Sequence, residues 1–260
     1  MAIGIRLALP LLLLVTLALP SVNAYFNATS LNTTIVLSQN NSAHIVESVN
    51  LYISNSSFTQ YVQDRQAINF TLSQWQSALN TNLLVEHILN PKSSVYSFQF
   101  LPGPITYYGN YGDAQLTLSY YVRNITSSSE ISPRRFEYVF NNTVFNFLHT
   151  ASGQTLPSNA RLNIVVPNGA QIVTIYPVPD YPRLSFIGNY TGSTTFSWYS
   201  ADPLSSFTFS YILLQSPGQE VSEFFSNLLS NYSDLIFLLV GAIVLVLLVY
   251  LYIRVSNAKV

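Results

Sequence analysis

The chain has 260 residues, a formal net charge of −1, no cysteine and only 8% charged side chains. Ordinary soluble domains carry about 25% charge, so polarity here must come from Asn, Ser, Thr, Gln and Tyr. The balance excludes a polybasic surface for nucleic acid, and the lack of cysteine excludes thiol nucleophiles, thiolate metal sites, Fe–S clusters and disulfide staples.

The N-terminus opens with Arg6 and an apolar run, Leu7–Leu19, interrupted by Pro10 and closed by Pro20. Val22 and Ala24 then supply the small residues of an A-x-A-like site, which predicts a secretory signal peptide over 1–24 cut before Tyr25; an uncleaved anchor is the alternative. Export places residues 25–215 outside the cell as an ectodomain. Its few carboxylates leave few groups whose protonation can alter folding free energy, which predicts tolerance of an acidic medium. Sugars supplying the solubility are the competing explanation.

After the leader, "TTIVLSQ" and "AHIVESVNLYIS" alternate as strands do. The period then changes. Thr71 and Gln74 form a capping-box pattern, and Leu72, Trp75, Leu79 and Leu83 follow at helical spacing until Asn90–Pro91. This predicts one amphipathic helix. Two-residue alternation returns at Tyr96/Phe98/Phe100, Leu116/Leu118/Tyr120/Val122, Phe136/Tyr138/Phe140, Leu162/Ile164/Val166, Phe196/Trp198 and Phe207/Phe209/Tyr211/Leu213. With turns such as "NYGD", "VPNG" and "YTGS" between them, the runs predict a mostly β, antiparallel β-sandwich. It is one composite sandwich or two tandem Ig-like ones, divided at the linker-like stretch 124–133.

Residues 216–233 turn amphipathic, with Val221, Phe224, Phe225, Leu228, Leu229 and Tyr232 on one helical face. The stripe needs a cover: lipid, the ectodomain or a second copy in a homo-oligomer. Leu235–Ile253 carries no charge and as a helix spans about 28 Å, the thickness of a bilayer's hydrocarbon core. We therefore expect a transmembrane helix over 234–253, with lipid as its partner, and a cytoplasmic tail over 254–260. Arg254 and Lys259 against Glu220, Glu223 and Asp234 agree with the positive-inside bias.

Asn-X-Ser/Thr sequons stand at Asn27, Asn32, Asn40, Asn55, Asn69, Asn124, Asn141, Asn189 and Asn231. Asn40, Asn55, Asn124 and Asn189 fall in expected turns and are the favoured N-glycosylation sites. The loop "LPGPITYYGNYGDAQ" sets Tyr107, Tyr108, Asn110 and Tyr111 among glycines. Flat faces and hydroxyls of this kind suit sugar rings or a protein hot spot, and the alternative is a tight hairpin whose tyrosines cover the sandwich edge. Arg134–Arg135 reads as an edge-strand charge pair. His44, His87 and His149 lie far apart and match no metal spacing, and "VEH" at 85–87 is the only place where a histidine neighbours an acid. G-x-S-x-G, Walker A and G-x-G-x-x-G patterns are absent, so no catalytic residue, metal or cofactor is expected.

The whole layout resembles that of archaeal single-pass (type I) cell-surface proteins: leader, Cys-free and Lys-poor β ectodomain rich in Tyr, Asn, Ser and Thr, many sequons, and a C-terminal anchor. The resemblance implies a cell-envelope location and a non-enzymatic role, with an envelope protein or glycan as partner. The alternatives are an accessory subunit recruited through the 221–253 helix and an enzyme acting on envelope glycans.

Overall fold

The structure is a computed structural model that describes residues 26–67, 70–151, 153–183, 190–199 and 202–215, with isolated positions at 218, 221, 222, 226 and 247. Its strands are β1 (Phe26–Leu37), β2 (Ala43–Ser54), β3 (Tyr96–Pro102), β4 (Thr106–Tyr107), β5 (Tyr111–Val122), β6 (Thr126–Ser132), β7 (Arg135–Phe140), β8 (Leu148–Thr150), β9 (Gly153–Thr155), β10 (Ala160–Val165), β11 (Gln171–Tyr176), β12 (Thr195–Trp198) and β13 (Thr208–Leu214). Two helices, α1 (Phe58–Gln66) and α2 (Leu72–Leu79), lie between β2 and β3.

The chain is mostly β. A large sheet runs β12-β10-β1-β2-β5-β3, with β4 also on β5; a four-stranded sheet runs β11-β13-β7-β6; and β8 pairs with β9. The large sheet departs from the wholly antiparallel expectation. β1 and β10 are parallel, pairing Leu31 with Ala160 through Val36 with Val165. Alternation along a strand says which face a side chain takes, not which way its neighbour runs.

Alternation does set the core. Leu31, Ile35 and Leu37 of β1, Ile45, Val49, Leu51 and Ile53 of β2, and Leu116, Leu118, Tyr120 and Val122 of β5 are all buried. This inner face has two covers. Towards the start of β1 it meets the helices: Phe26 contacts Tyr61 at 5.7 Å and Trp75 at 6.2 Å, and Trp75 also meets Phe70 and Phe100. Towards the other end it meets the small sheet, where Phe196 contacts Phe209 at 5.7 Å and Trp198 contacts Phe207 at 5.0 Å. One apolar cluster runs through both halves. The stretch 124–133, expected as a linker, carries β6, which pairs with β7 from Thr126–Phe140 to Ser132–Arg135.

Of the helices, α2 starts on the expected capping box, with the Thr71 N–H donating to Gln74 Oε1 at 2.7 Å. It stops at Leu79 because Asn80 takes a left-handed φ of 45°, so Leu83 falls outside it. The second helix, α1, is an addition to the single helix expected. Its sequence, FTQYVQDRQ, is largely polar and buries Tyr61 and Asp64.

Among the described residues no helix is long and apolar enough to cross a membrane. The leader 1–24 and nearly all of 216–260 lie outside the described residues. Within 216–260, Val221 of the amphipathic stripe and Leu247 of the apolar run are described, both helical and exposed.

Candidate binding face of the large sheet

The outward face of the large sheet is built by the alternate residues of the same strands, and it is polar with aromatic ends. Cross-strand register makes rows of side chains. Asn50 of β2 stands between Ser30 of β1 and Gln115 of β5. Its Nδ2 donates to Ser30 Oγ at 2.9 Å, and its Oδ1 accepts from Gln115 Nε2 at 3.1 Å. A second row crosses β1, β10 and β12: Asn163 Nδ2 donates to Asn32 Oδ1 at 2.7 Å, and Ser197 Oγ donates to Asn163 Oδ1 at 2.7 Å. Cross-strand polar pairs of this kind stabilise a sheet by a few tenths of a kcal/mol, up to about 1 kcal/mol.

Towards one end lies the loop singled out in the sequence. Gly109 takes φ 75° in the turn between β4 and β5, a conformation that favours glycine. Gly112 permits close packing, since a Cβ there would sit 2.6 Å from Ile105 Cγ2. The Tyr61 hydroxyl of α1 donates to the Gly103 carbonyl at 2.8 Å, and burial pushes its pKa up to about 12, so it remains a donor. On this frame Tyr108 stacks on Tyr111 at 5.4 Å, and Tyr111 on Tyr52 of β2 at 5.5 Å. Tyr108 is 50% exposed and Tyr52 40%. Tyr107, 57% exposed, meets the edge of Phe58 at 4.9 Å, and the Asn110 carbonyl accepts from the Asn55 N–H at 3.2 Å.

Eight residues further down β2, His44 stacks on Tyr121 at 4.6 Å, Tyr121 on Tyr96 at 5.4 Å, and Arg123 lies over Tyr96 at 4.9 Å. The two aromatic groups stand about 26 Å apart along the strand. Between them run two adjoining recesses, of about 720 Å³ and about 420 Å³, that share Ser30, Asn50 and Gln115. Their charged lining residues are Asp113 and Arg161. Such a face can hydrogen-bond and stack, and within it His44 Nε2 lies 2.8 Å from the Ser119 hydroxyl.

The other expected positions are dispersed. Asn40 is exposed in the β1–β2 turn, where its Oδ1 accepts from Ser42 Oγ at 2.6 Å. Asn55 is exposed after β2, and Asn124 is exposed at φ 54° between β5 and β6. Asn189 lies outside the described residues. Arg134 turns back to the end of β13, donating to the Gln215 carbonyl through Nη2 at 2.9 Å. His44 belongs to the face, His87 is buried and His149 is exposed. Among the described residues no group of three or more His, Asp or Glu could hold a metal.

Sequence reasoning named the tyrosines of the loop but missed Tyr52, Asn50 and Gln115. The period-two pattern placed Tyr52 and Asn50 on one face of β2; the pairing with β5 that joins them to Tyr111 and Gln115 is tertiary. Compared with models of known protein families and with curated proteins, the chain matches none.

Proposed function

We propose that the protein is a non-enzymatic, membrane-anchored component of the cell envelope that offers the outer face of its large sheet to glycan, free or carried by a surface partner. The observation that carries this reading is the exposed stack Tyr52–Tyr111–Tyr108 beside a hydrogen-bonded amide row. Sugar rings present an apolar C–H face to aromatic rings and hydroxyls to amides; here Tyr52, Tyr111, Asn50 and Gln115 stand on strands, and Tyr108 stacks on Tyr111 from the adjoining loop. A lining that is polar with one carboxylate, Asp113, and one guanidinium, Arg161, also suits a ligand without net charge. Anchoring rests on the leader over 1–24 and the apolar run Leu235–Ile253, which together place a β-sandwich ectodomain outside and the C-terminus in the cytoplasm. N-glycosylation at Asn40, Asn55 and Asn124 is part of the same proposal, each being exposed in a turn, bend or short helical turn next to a strand.

Full-length protein in a sugar-free detergent, applied to immobilised envelope polysaccharide, tests it. Binding should fall about tenfold or more for Tyr108→Ala and Tyr111→Ala, the usual cost of removing an aromatic anchor. Wild-type retention by both variants would defeat the proposal. Capture of a partner by the anchor and the Val221–Tyr232 stripe alone would favour the accessory-subunit role instead.

A further inference from the structure

A second polar site lies inside the molecule, on the inner face of β2 facing the segment that joins α2 to β3. Glu47 is 0% exposed there. Three donors clasp it: the His87 backbone N–H at 2.8 Å from Oε1, the Tyr120 hydroxyl, also on Oε1, and His87 Nδ1 at 2.6 Å from Oε2. Burial, reinforced by the Glu47 carboxylate, pushes the Tyr120 pKa far above the ordinary tyrosine range, which keeps the phenol a donor. With the carboxylate accepting from all sides, Nδ1 carries its proton whether the ring is neutral or cationic. Phe147 stacks on the imidazole at 4.9 Å and holds its plane.

The far edge of the ring is left over. His87 is 3% exposed, and its Nε2 has no hydrogen-bond partner among the described residues. It lines a recess of about 530 Å³, with Asn82, Asn146 and Asn159 among the polar walls and Val85 among the apolar ones. Asn146 Nδ2 is engaged by the Glu86 carbonyl at 3.2 Å and Asn159 Nδ2 by the Thr29 carbonyl at 2.6 Å, which leaves their side-chain oxygens as acceptors. The described lining contains no carboxylate, lysine or arginine; its other ionisable side chain is that of His149.

The chemistry of the occupant follows from what Nε2 can do. A neutral ring offers a lone pair there, which suits a hydroxyl, an ammonium or a metal ion. An imidazolium offers an N–H, which suits a hydroxyl or an anion. A hydroxyl matches both states. A metal ion would find at most His149 as a second ligand, short of a set of three among the described residues. His149 Nε2 already faces the Gln154 amide nitrogen at 3.3 Å rather than standing ready to pair with an anion. We infer that this recess binds a neutral polyhydroxylated ligand of one or two sugar rings, anchored by a hydroxyl on His87 Nε2. Its volume falls within the range of small-molecule pockets. The recess meets the outer-face recess of about 420 Å³ at Asn159, which lines both, but the inference does not depend on that reading.

Full-length protein with ¹⁵N-labelled histidine, in a sugar-free detergent, is titrated with the methyl glycosides of glucose, mannose, galactose and N-acetylglucosamine. At least one should move the His87 Nε2 resonance. Val85→Trp fills the recess without touching the buried pair and should weaken that titration about tenfold or more. Asn82→Ala at the exposed rim should weaken it about threefold. An unmoved His87 Nδ1 resonance in the unliganded variants shows that the pair is intact. No response of Nε2 to any of the four sugars overturns the inference, as does an unweakened titration in Val85→Trp. Loss of the response in Tyr108→Ala overturns it too, because the sugar would then sit on the outer face.

Discussion

The two faces of β2 handle polar side chains in opposite ways. Outward, Asn50 has neutral partners on both flanking strands and water within reach. Inward, Glu47 is fully buried and takes a phenol, an imidazole and a backbone N–H instead. A buried carboxylate must be met by strong donors or it destabilises the fold, and each donor it recruits becomes indispensable. An exposed amide can lose a partner to solvent at little cost. The same strand thus holds a brittle cluster and a tolerant one, a few residues apart.

The sharpest way to break this contrast is His87→Ala, which leaves Glu47 buried without its main partner. Stability should fall by about 3–5 kcal/mol, read as a lower denaturant midpoint for the full chain. A loss below about 1 kcal/mol would mean that the cluster is far less strained by losing a donor than its burial indicates. On the outer face, Asn50→Ala should stay within about 0.5 kcal/mol of wild type, while glycan binding drops; equal effects on both measurements would erase the distinction between the faces.

The smallest effect concerns pH. Burial raises the pKa of Asp64, against the hydrogen bond from Gln60, and raises that of Asp202, with help from the neighbouring Asp180. A folded value above the unfolded one means that the native state binds the extra proton, so these groups favour the fold most below the ordinary carboxylate value of 3.8 and lose that contribution as pH rises through their raised values. Asp202→Asn removes that acid-side contribution, so relative to wild type the variant should lose stability slightly as pH falls. A gain of the variant on wild type towards acid would reverse the sign assigned here.

Much of the β framework was legible because burial repeats every second residue: Leu116, Leu118, Tyr120 and Val122 were all expected inside and are all buried. The helix α1 was not, since its nine residues offer a weak apolar stripe around Tyr61. The exposed tyrosines were legible from the glycines beside them. Glu47 and His87 were not, for a physical reason. A lone carboxylate on the inward face of a strand reads as an interruption until its partner arrives, and that partner comes from a connection 40 residues away. The outer amide row was hidden in the same way, because Gln115 reaches Asn50 only through the β2–β5 register.

The parallel pairing of β1 with β10 also fixes an order of events. Leu31 must wait for Ala160, so a chain emerging N-terminus first keeps one long backbone edge of β1 unpaired until well over half of it has been delivered. Contacts that distant are slow to form, and an open edge invites pairing with other chains. β1, β2 and β5 can pair in the order they emerge, but the large sheet closes late, when β10 slots in beside β1, whose other edge has stood open longest.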